Sequence, residues 1–274
     1  METLSTAPAL RERLWNEARV AFVPTMGNLH DGHLDLVRQA RQHGSCVAVS
    51  IFVNPLQFGP SEDFAAYPRT LADDCRKLEG LADVVFAPAA AELYPETQTI
   101  FVEPPPIAGE LCGATRPTHF RGVATVVLKL FNLVQADTAL FGKKDYQQLH
   151  VIRAMARQLN LPVEIVAGET VRAADGLALS SRNAYLSETE RGEAAMLYRE
   201  LQRIRQEIAA GGCDLAAIAD EARMRLESRG WRVDYVSLRN AATLAPALAD
   251  DEKKVALAAA WLGKTRLIDN LEIG

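Results

Sequence analysis

Two histidines three residues apart, His30 and His33, close the stretch VAFVPTMGNLHDGH, residues 20–33. At that spacing two imidazoles stand side by side on the first turn of a helix. In the neutral form each can donate a hydrogen bond to a phosphate oxygen without adding a full positive charge. That suits a transition state in which charge moves from an α-phosphate to a leaving pyrophosphate. The plainer alternative is two surface histidines in a first helical turn, with Gly27 and Gly32 merely shaping it. The GK[ST] ending of a Walker A loop is missing, which excludes that reading.

Three further stretches carry polar side chains fit for the same chemistry. FGKKDYQQL (141–149) offers Lys143 and Lys144 to phosphate charge and Asp145 to a hydroxyl, against the simpler reading of a solvated turn capping a helix. LALSSRN (177–183) sets two hydroxyls and an arginine in a row, and Arg182 can hold phosphate oxygens bidentately. Asp175-Gly176 before it would let the loop move as a lid. In SIFVNPLQFG (50–59), Asn54 and Gln57 carry amides that both donate and accept, suited to a small substrate with hydroxyl and carboxylate oxygens. Tyr67 and Arg69 are further candidates there, with loop packing as the even alternative. Asp73 and Asp74 could help to hold magnesium, which takes carboxylate and phosphate oxygens, although a solvated helix face explains them as well. Spacing supports no Ser-His-Asp triad or Cys-His dyad.

The elements that position these residues follow from periodicity. The apolar run 20–25 reads as a strand that turns at Gly27, and Leu34, Val37 and Ala40 then mark one face of a helix. A strand leading straight into a helix gathers backbone N–H groups and the positive helix end at one point. Residues 46–53 form a second buried strand, ended by Asn54-Pro55. A polar loop over 57–70 precedes a helix holding Leu71, Cys75 and Leu78. Strands are expected at 83–86, 99–103, 137–141 and 163–171. The apolar run 122–134 is too long for a strand and reads as a buried helix, and a second helix reaches Leu159. Alternating strands and helices imply a Rossmann-like parallel sheet with helices on both faces, over residues 1–170. Lys143 to Asp145 would then sit at a strand's carboxyl end, where open α/β sheets bind ligands.

Residues 171–274 change character. Helices are expected over 187–210, started by a Ser187–Glu190 capping box, and over 214–230. Strands at 233–238, 254–261 and 265–269 complete a smaller α+β domain. The net charge of −5 argues against a nucleic-acid partner. Cys46, Cys75, Cys112 and Cys213 make no CxxC pair, which implies reduced thiols and no zinc. The charged N-terminal stretch does not read as a signal peptide, and no apolar run approaches the roughly 20 residues that cross a bilayer. The expectation is a cytoplasmic protein with no membrane partner.

Taken together, PTMGNLHDGH, SIFVNPLQFG, RPTHFRGV (116–123), FGKKDYQQL and DGLALSSRN resemble, in order and spacing, the pantothenate synthetase family of HxGH nucleotidyltransferases. The resemblance covers the first two thirds of the chain closely and the last third in general character. It implies an ATP-dependent ligase that joins pantoate to β-alanine through a pantoyl-adenylate, with ATP and Mg2+ as its cofactors. It also implies a homodimer whose smaller domain closes over the nucleotide. Carried over by residue, Met26, Gly27, Asn28, Leu29, His30, Asp31, Gly32 and His33 would line the ATP site, with His33 as proton donor. Gly142, Lys143, Lys144, Asp145, Val171, Leu179, Ser180, Ser181 and Arg182 would complete it, Lys144 on phosphate and Asp145 on ribose. Gln57 and Gln148 would hold pantoate, and Gln57 would also lie near β-alanine. The family often has Glu at position 143 and a Leu-Glu-Gly run where this chain reads Leu111-Cys112-Gly113. The nearest alternatives are another HxGH nucleotidyltransferase and a nucleotide-binding module without catalysis. A class I aminoacyl-tRNA synthetase fits the short acidic chain poorly.

Overall fold

Along the chain of the computed structural model, which describes residues 1–59, 62 and 64–274, nine strands and ten α-helices follow one another. They are β1 (Glu2–Leu4), α1 (Ala7–Leu14), β2 (Val20–Thr25), α2 (Asp31–Ala40), β3 (Cys46–Ile51), α3 (Leu71–Leu78), β4 (Val84–Phe86), α4 (Ala90–Leu93), α5 (Cys112–Thr115), α6 (His119–Val134), β5 (Thr138–Gly142), α7 (Tyr146–Gln158) and β6 (Glu164–Gly168). Then come α8 (Glu188–Ala194), α9 (Met196–Ala209), α10 (Leu215–Ser228), β7 (Arg232–Asn240), β8 (Lys254–Leu262) and β9 (Thr265–Ile273). Two units divide the chain: Met1–Gly142 with Gln148–Glu169, and Lys143–Gln147 with Thr170–Gly274. The second therefore takes in the five residues that follow β5 as well as the C-terminal part of the chain.

In the first unit six strands form a parallel sheet in the order β1-β4-β3-β2-β5-β6. Alternation along β2 sorts the two faces. Ala21 and Val23 pack with Leu34, Val37 and Ala40 of α2 and with Leu78 of α3. Phe22 points the other way, onto Phe131 of α6, with ring centroids 6.5 Å apart in an edge-on contact. Phe141 meets the same Phe131 at 6.3 Å. Helices thus cover both faces, as expected. Strand order reverses between β2 and β5, and the crevice beyond the carboxyl ends at such a switch point is where sheets of this kind bind ligands. The turn carrying His30 and His33 leaves β2 there.

Local expectations differ from the structure at three places, and a further one falls partly outside the described residues. Residues 99–103 join no sheet: Val102 N donates to Thr125 Oγ1, and the Phe101 ring takes the Arg121 guanidinium at 4.2 Å. The segment is β-like in composition but lies along the side chains of a helix, ahead of three prolines that offer no ladder donors. β1 and α1 carry too few apolar residues to signal themselves, yet β1 pairs in parallel with β4. The helix expected over 187–210 is two, broken at Ala195 with no proline to mark the break, although the Ser187–Glu190 capping box forms. Finally, the loop expected over 57–70 includes Pro60, Ser61 and Asp63, which lie outside the described residues.

The second unit carries an antiparallel sheet in the order β7-β8-β9. Ala256, Ala258 and Ala260, on one face of β8, share a core with Leu197, Leu201 and Ile204 of α9 and Ala222 and Leu226 of α10. Small residues on that face let the helices approach closely. The half-buried Arg172 and the buried Asp269 form a bidentate pair at 2.6 and 2.9 Å, and the guanidinium stacks on Tyr198. Burial holds the Asp269 carboxyl above its ordinary value, and Arg172 offsets only part of that. Among the described residues no helix is long and apolar enough to cross a membrane.

Candidate active site

The turn after β2 is built from side chains that consume its own backbone donors. Gly27 and Asn28 take the left-handed conformation at φ +81° and +50°. A Cβ at Gly27 would stand 3.1 Å from both Asp74 Oδ2 and Ile51 Cγ2, so glycine is needed for shape as well as for φ. Gly27 N donates to Thr25 Oγ1 at 3.2 Å. Asn28 N and Leu29 N donate to the two oxygens of Asp74 at 2.9 and 2.8 Å. These amides are spent inside the protein. In this structure the three backbone N–H groups expected to face phosphate donate to Thr25 and Asp74 instead.

The histidines supply the donors instead. His30 caps α2, its Nδ1 accepting from Gly32 N at 3.2 Å, and His33 Nδ1 accepts from His30 N at 3.3 Å. A ring nitrogen that accepts from a backbone N–H carries no proton, so both imidazoles are neutral with the proton on Nε2. Their centroids are 4.0 Å apart. The turn therefore presents two adjacent Nε2–H groups at a helix N-terminus, an arrangement suited to the oxygens of a polyphosphate.

Asp73 and Asp74 were candidates for magnesium, and the structure uses them otherwise. Asp74 is fully buried, and Thr70 Oγ1 is its third donor at 3.0 Å. Asp73 lies on the surface, ion-paired with Arg76. Among the described residues no group of three or more His, Cys, Asp or Glu side chains could hold a metal ion.

The second polar cluster follows β3. Asn54 is fully buried, and its amide is saturated: Nδ2 donates to Gln57 Oε1 at 3.0 Å and Gly122 O at 3.1 Å, while Oδ1 accepts from Leu56 N at 3.3 Å and Tyr94 O–H at 2.8 Å. In this structure every hydrogen-bonding valence of its amide is used inside the protein. Its work is to orient Gln57. With Oε1 of Gln57 held by Asn54, the Nε2 end is the one offered as a donor, which selects an oxygen acceptor such as a carboxylate. Burial pushes the Tyr94 phenol up, keeping it protonated and donating. The backbone is fixed as well, since Gln57 O accepts from Arg116 Nη2 at 3.2 Å and is 2.9 Å from His119 Nδ1. Glu62 holds Arg116 at 3.0 Å. A Cβ at Gly122 would stand 2.0 Å from Leu56 O, so glycine lets α6 close on this turn. Tyr67 is buried, its ring edge-on to Phe58 at 5.7 Å and its carbonyl held by Arg69, so packing is its visible role. Gln148, on α7, is half-buried.

In the second unit, Lys143 and Lys144 lend their carbonyls to Asn270 Nδ2 at 2.8 and 2.9 Å. The Lys143 ammonium pairs with Glu272 at 2.7 Å, and Tyr146 O–H donates to the same carboxylate at 2.9 Å. Lys143, assigned to nucleotide by the resemblance, is thus ion-paired with β9 in this structure. Lys144 stays largely covered, 3.7 Å from Asp145. Leu179 N donates to Val171 O at 3.0 Å, so Val171 and the segment 179–182 meet in one hairpin. Ser180 Oγ caps the short helical turn by accepting from Arg182 N at 3.3 Å, which leaves its O–H as a donor. Sequence reasoning overlooked Lys77, Tyr94, Glu62, Arg116 and His119. Arg116 and His119 lie within the RPTHF stretch, which was their available signal.

Known proteins match the chain along almost its whole length. A family model described as pantoate-beta-alanine ligase matches residues 2–272. The pantothenate synthetase of Nitrosospira multiformis is 59% identical over 274 residues, spanning 100% of this chain and 98% of that protein. The crystal structure of the Thermus thermophilus pantothenate synthetase superposes with a TM-score of 0.94 at 46% identity, covering 99% of each chain. That of the Francisella tularensis pantoate-beta-alanine ligase, complexed with beta-gamma ATP and beta-alanine, superposes with a TM-score of 0.83 at 32% identity, over 99% of this chain and 97% of that one. By sequence and by fold alike, the chain belongs to the pantoate–β-alanine ligase family.

Proposed function

We propose that this chain condenses pantoate with β-alanine at the cost of ATP, in two steps. In the first, a pantoate carboxylate oxygen bonds to the α-phosphorus, the bond to the β-phosphate oxygen breaks, and pyrophosphate leaves. In the second, the β-alanine amine attacks the acyl carbon of the pantoyl-adenylate. The bond to AMP breaks, and the amine gives up a proton as the amide forms. The observation that carries this reading is the pair of imidazoles side by side at a switch-point turn, each with Nδ1 accepting from a backbone N–H. It fits stabilisation of a leaving pyrophosphate, and no nucleophile is required.

His33 and His30 donate to the phosphates, with His33 able to yield its Nε2 proton. Gln57, presenting Nε2–H, and Gln148 receive the oxygens of pantoate. Lys144, Ser180, Ser181 and Arg182 supply donors to phosphate oxygens, and Asp145 accepts from a ribose hydroxyl. Met26, Gly27, Asn28, Leu29, Asp31, Gly32, Gly142, Val171 and Leu179 contribute shape around the nucleotide. The carboxylates nominated for magnesium do not fit that role, so the ion belongs to the reading only as the counter-ion of ATP. Homodimeric assembly and a cytoplasmic setting complete the proposal. The test is AMP formation from ATP and pantoate with and without β-alanine, with the amide product identified. A stable nucleotide adduct that ignores β-alanine would instead indicate another nucleotidyltransferase.

A further inference from the structure

Helix α3 contributes two residues to the histidine turn, and neither belongs to the HxGH stretch. Asp74 and Lys77 are three apart and so lie on one face of the helix. Asp74 takes the amides of Asn28 and Leu29, and Lys77 Nζ donates to Leu29 O at 2.6 Å. The Leu29 residue is therefore gripped at its N–H and at its carbonyl by one helix face. The grip takes hold at Asn28, a non-glycine residue with positive φ whose conformation needs support from its surroundings, and at Leu29 beside it. One residue later the chain enters α2 through the His30 cap, and His30 N is the group that fixes the tautomer of His33.

We propose that Asp74 and Lys77 are positioning residues for adenylation: they clamp the backbone of the turn and so hold the Nε2–H groups of His30 and His33 toward the phosphates. This rests on the proposed adenylation and assigns the control of its donors. The same clamp accounts for why imidazoles, and not main-chain amides, do the donating. The carboxylate has already taken the two amides that a phosphate loop would offer. A carboxylate is needed for this, because it can accept from two N–H groups and a hydroxyl at once. An amide in its place turns an N–H2 toward a donor whichever way it flips.

The experiment compares D74N and K77M with the native chain and with L78A, which removes only buried packing from the same helix. Long-range 1H–15N spectra of the imidazoles report the tautomers, single-turnover assays report pantoyl-adenylate formation, and steady-state kinetics report KM for pantoate. The native spectra should show both rings as Nε2–H. D74N should mix the tautomers and slow adenylation by about 10–100-fold, as misplacement of reacting groups on the 1 Å scale does, with KM for pantoate unchanged. K77M should change both readouts in the same direction, and it carries the test if D74N does not fold. The proposal is overturned if the variant that folds keeps native tautomers and the native rate. It is also overturned if L78A, at an equal loss of unfolding midpoint, slows adenylation as much. A native chain that forms no adenylate would remove the proposed function, and the tautomer comparison would still decide the clamp.

Discussion

Replacing Asn54 by Leu isolates the difference between a residue that touches substrate and one that orients its neighbour. The two side chains have similar volume, so the change removes hydrogen bonds and leaves little cavity. Asn54 makes four: two donated, to Gln57 Oε1 and Gly122 O, and two accepted, from Leu56 N and Tyr94 O–H. All are internal, because the residue is fully buried. Leaving each partner unpaired costs about 1 kcal/mol, at the low end for the carbonyls, so N54L should destabilise the first unit by about 4 kcal/mol. A domain with about 5–15 kcal/mol of stability can absorb that and stay folded. Urea unfolding, read by hydrogen exchange of β2 and β3, measures it. Freed from Asn54, the Gln57 amide can turn over, so KM for pantoate should rise as well. A variant with native stability and lost pantoate affinity would refute the reasoning, since it would make Asn54 a direct contact.

H33A should slow single-turnover adenylate formation by roughly 100-fold, the scale for losing one donor to a developing charge; an unchanged rate would show that His33 acts elsewhere. K143E, which brings in the residue the family often has, faces the Glu272 carboxylate and should cost about 1 kcal/mol at this partly exposed site, with E272K restoring it in the double variant. Burial pushes the Glu62 carboxyl up, but hydrogen bonds and charge from Arg116 outweigh it and leave its pKa below the ordinary value. A depressed carboxyl contributes stability above its unfolded pKa and loses it as pH falls through the folded one, so the hold on Gln57 should weaken below about pH 4. E62Q should flatten that part of an acid-unfolding curve, and an unaltered curve would remove Glu62 from the account.

Much of this was readable in residue order because the signals were local. The short apolar run of β2, the period near 3.6 along α2 and the length of the apolar run in α6 each name an element from neighbouring residues. The HxGH histidines, the KKD segment and LSSR could be singled out as candidates for the same reason, since the chemistry open to them follows from side-chain type and short spacing. Residues 99–103 misled because β-like composition says nothing about whether a partner strand is in reach. Asp73 and Asp74 misled because two adjacent carboxylates look alike in sequence, whereas in the fold one is on the surface with Arg76 and the other is buried beneath the turn.

The sequence by itself therefore determined most of the elements, the family and the residue types suited to a phosphate, all properties of side chains and their spacing along the chain. Only the tertiary structure decided how those types are used. The distance in sequence from Asn28 to Asp74, or from Asn54 to Gly122, carries no information about proximity until the sheet and helices close. Once they do, each buried donor and acceptor must be paired, and that requirement commits Asp74 to the histidine turn, Asn54 to Gln57 and Lys143 to Glu272.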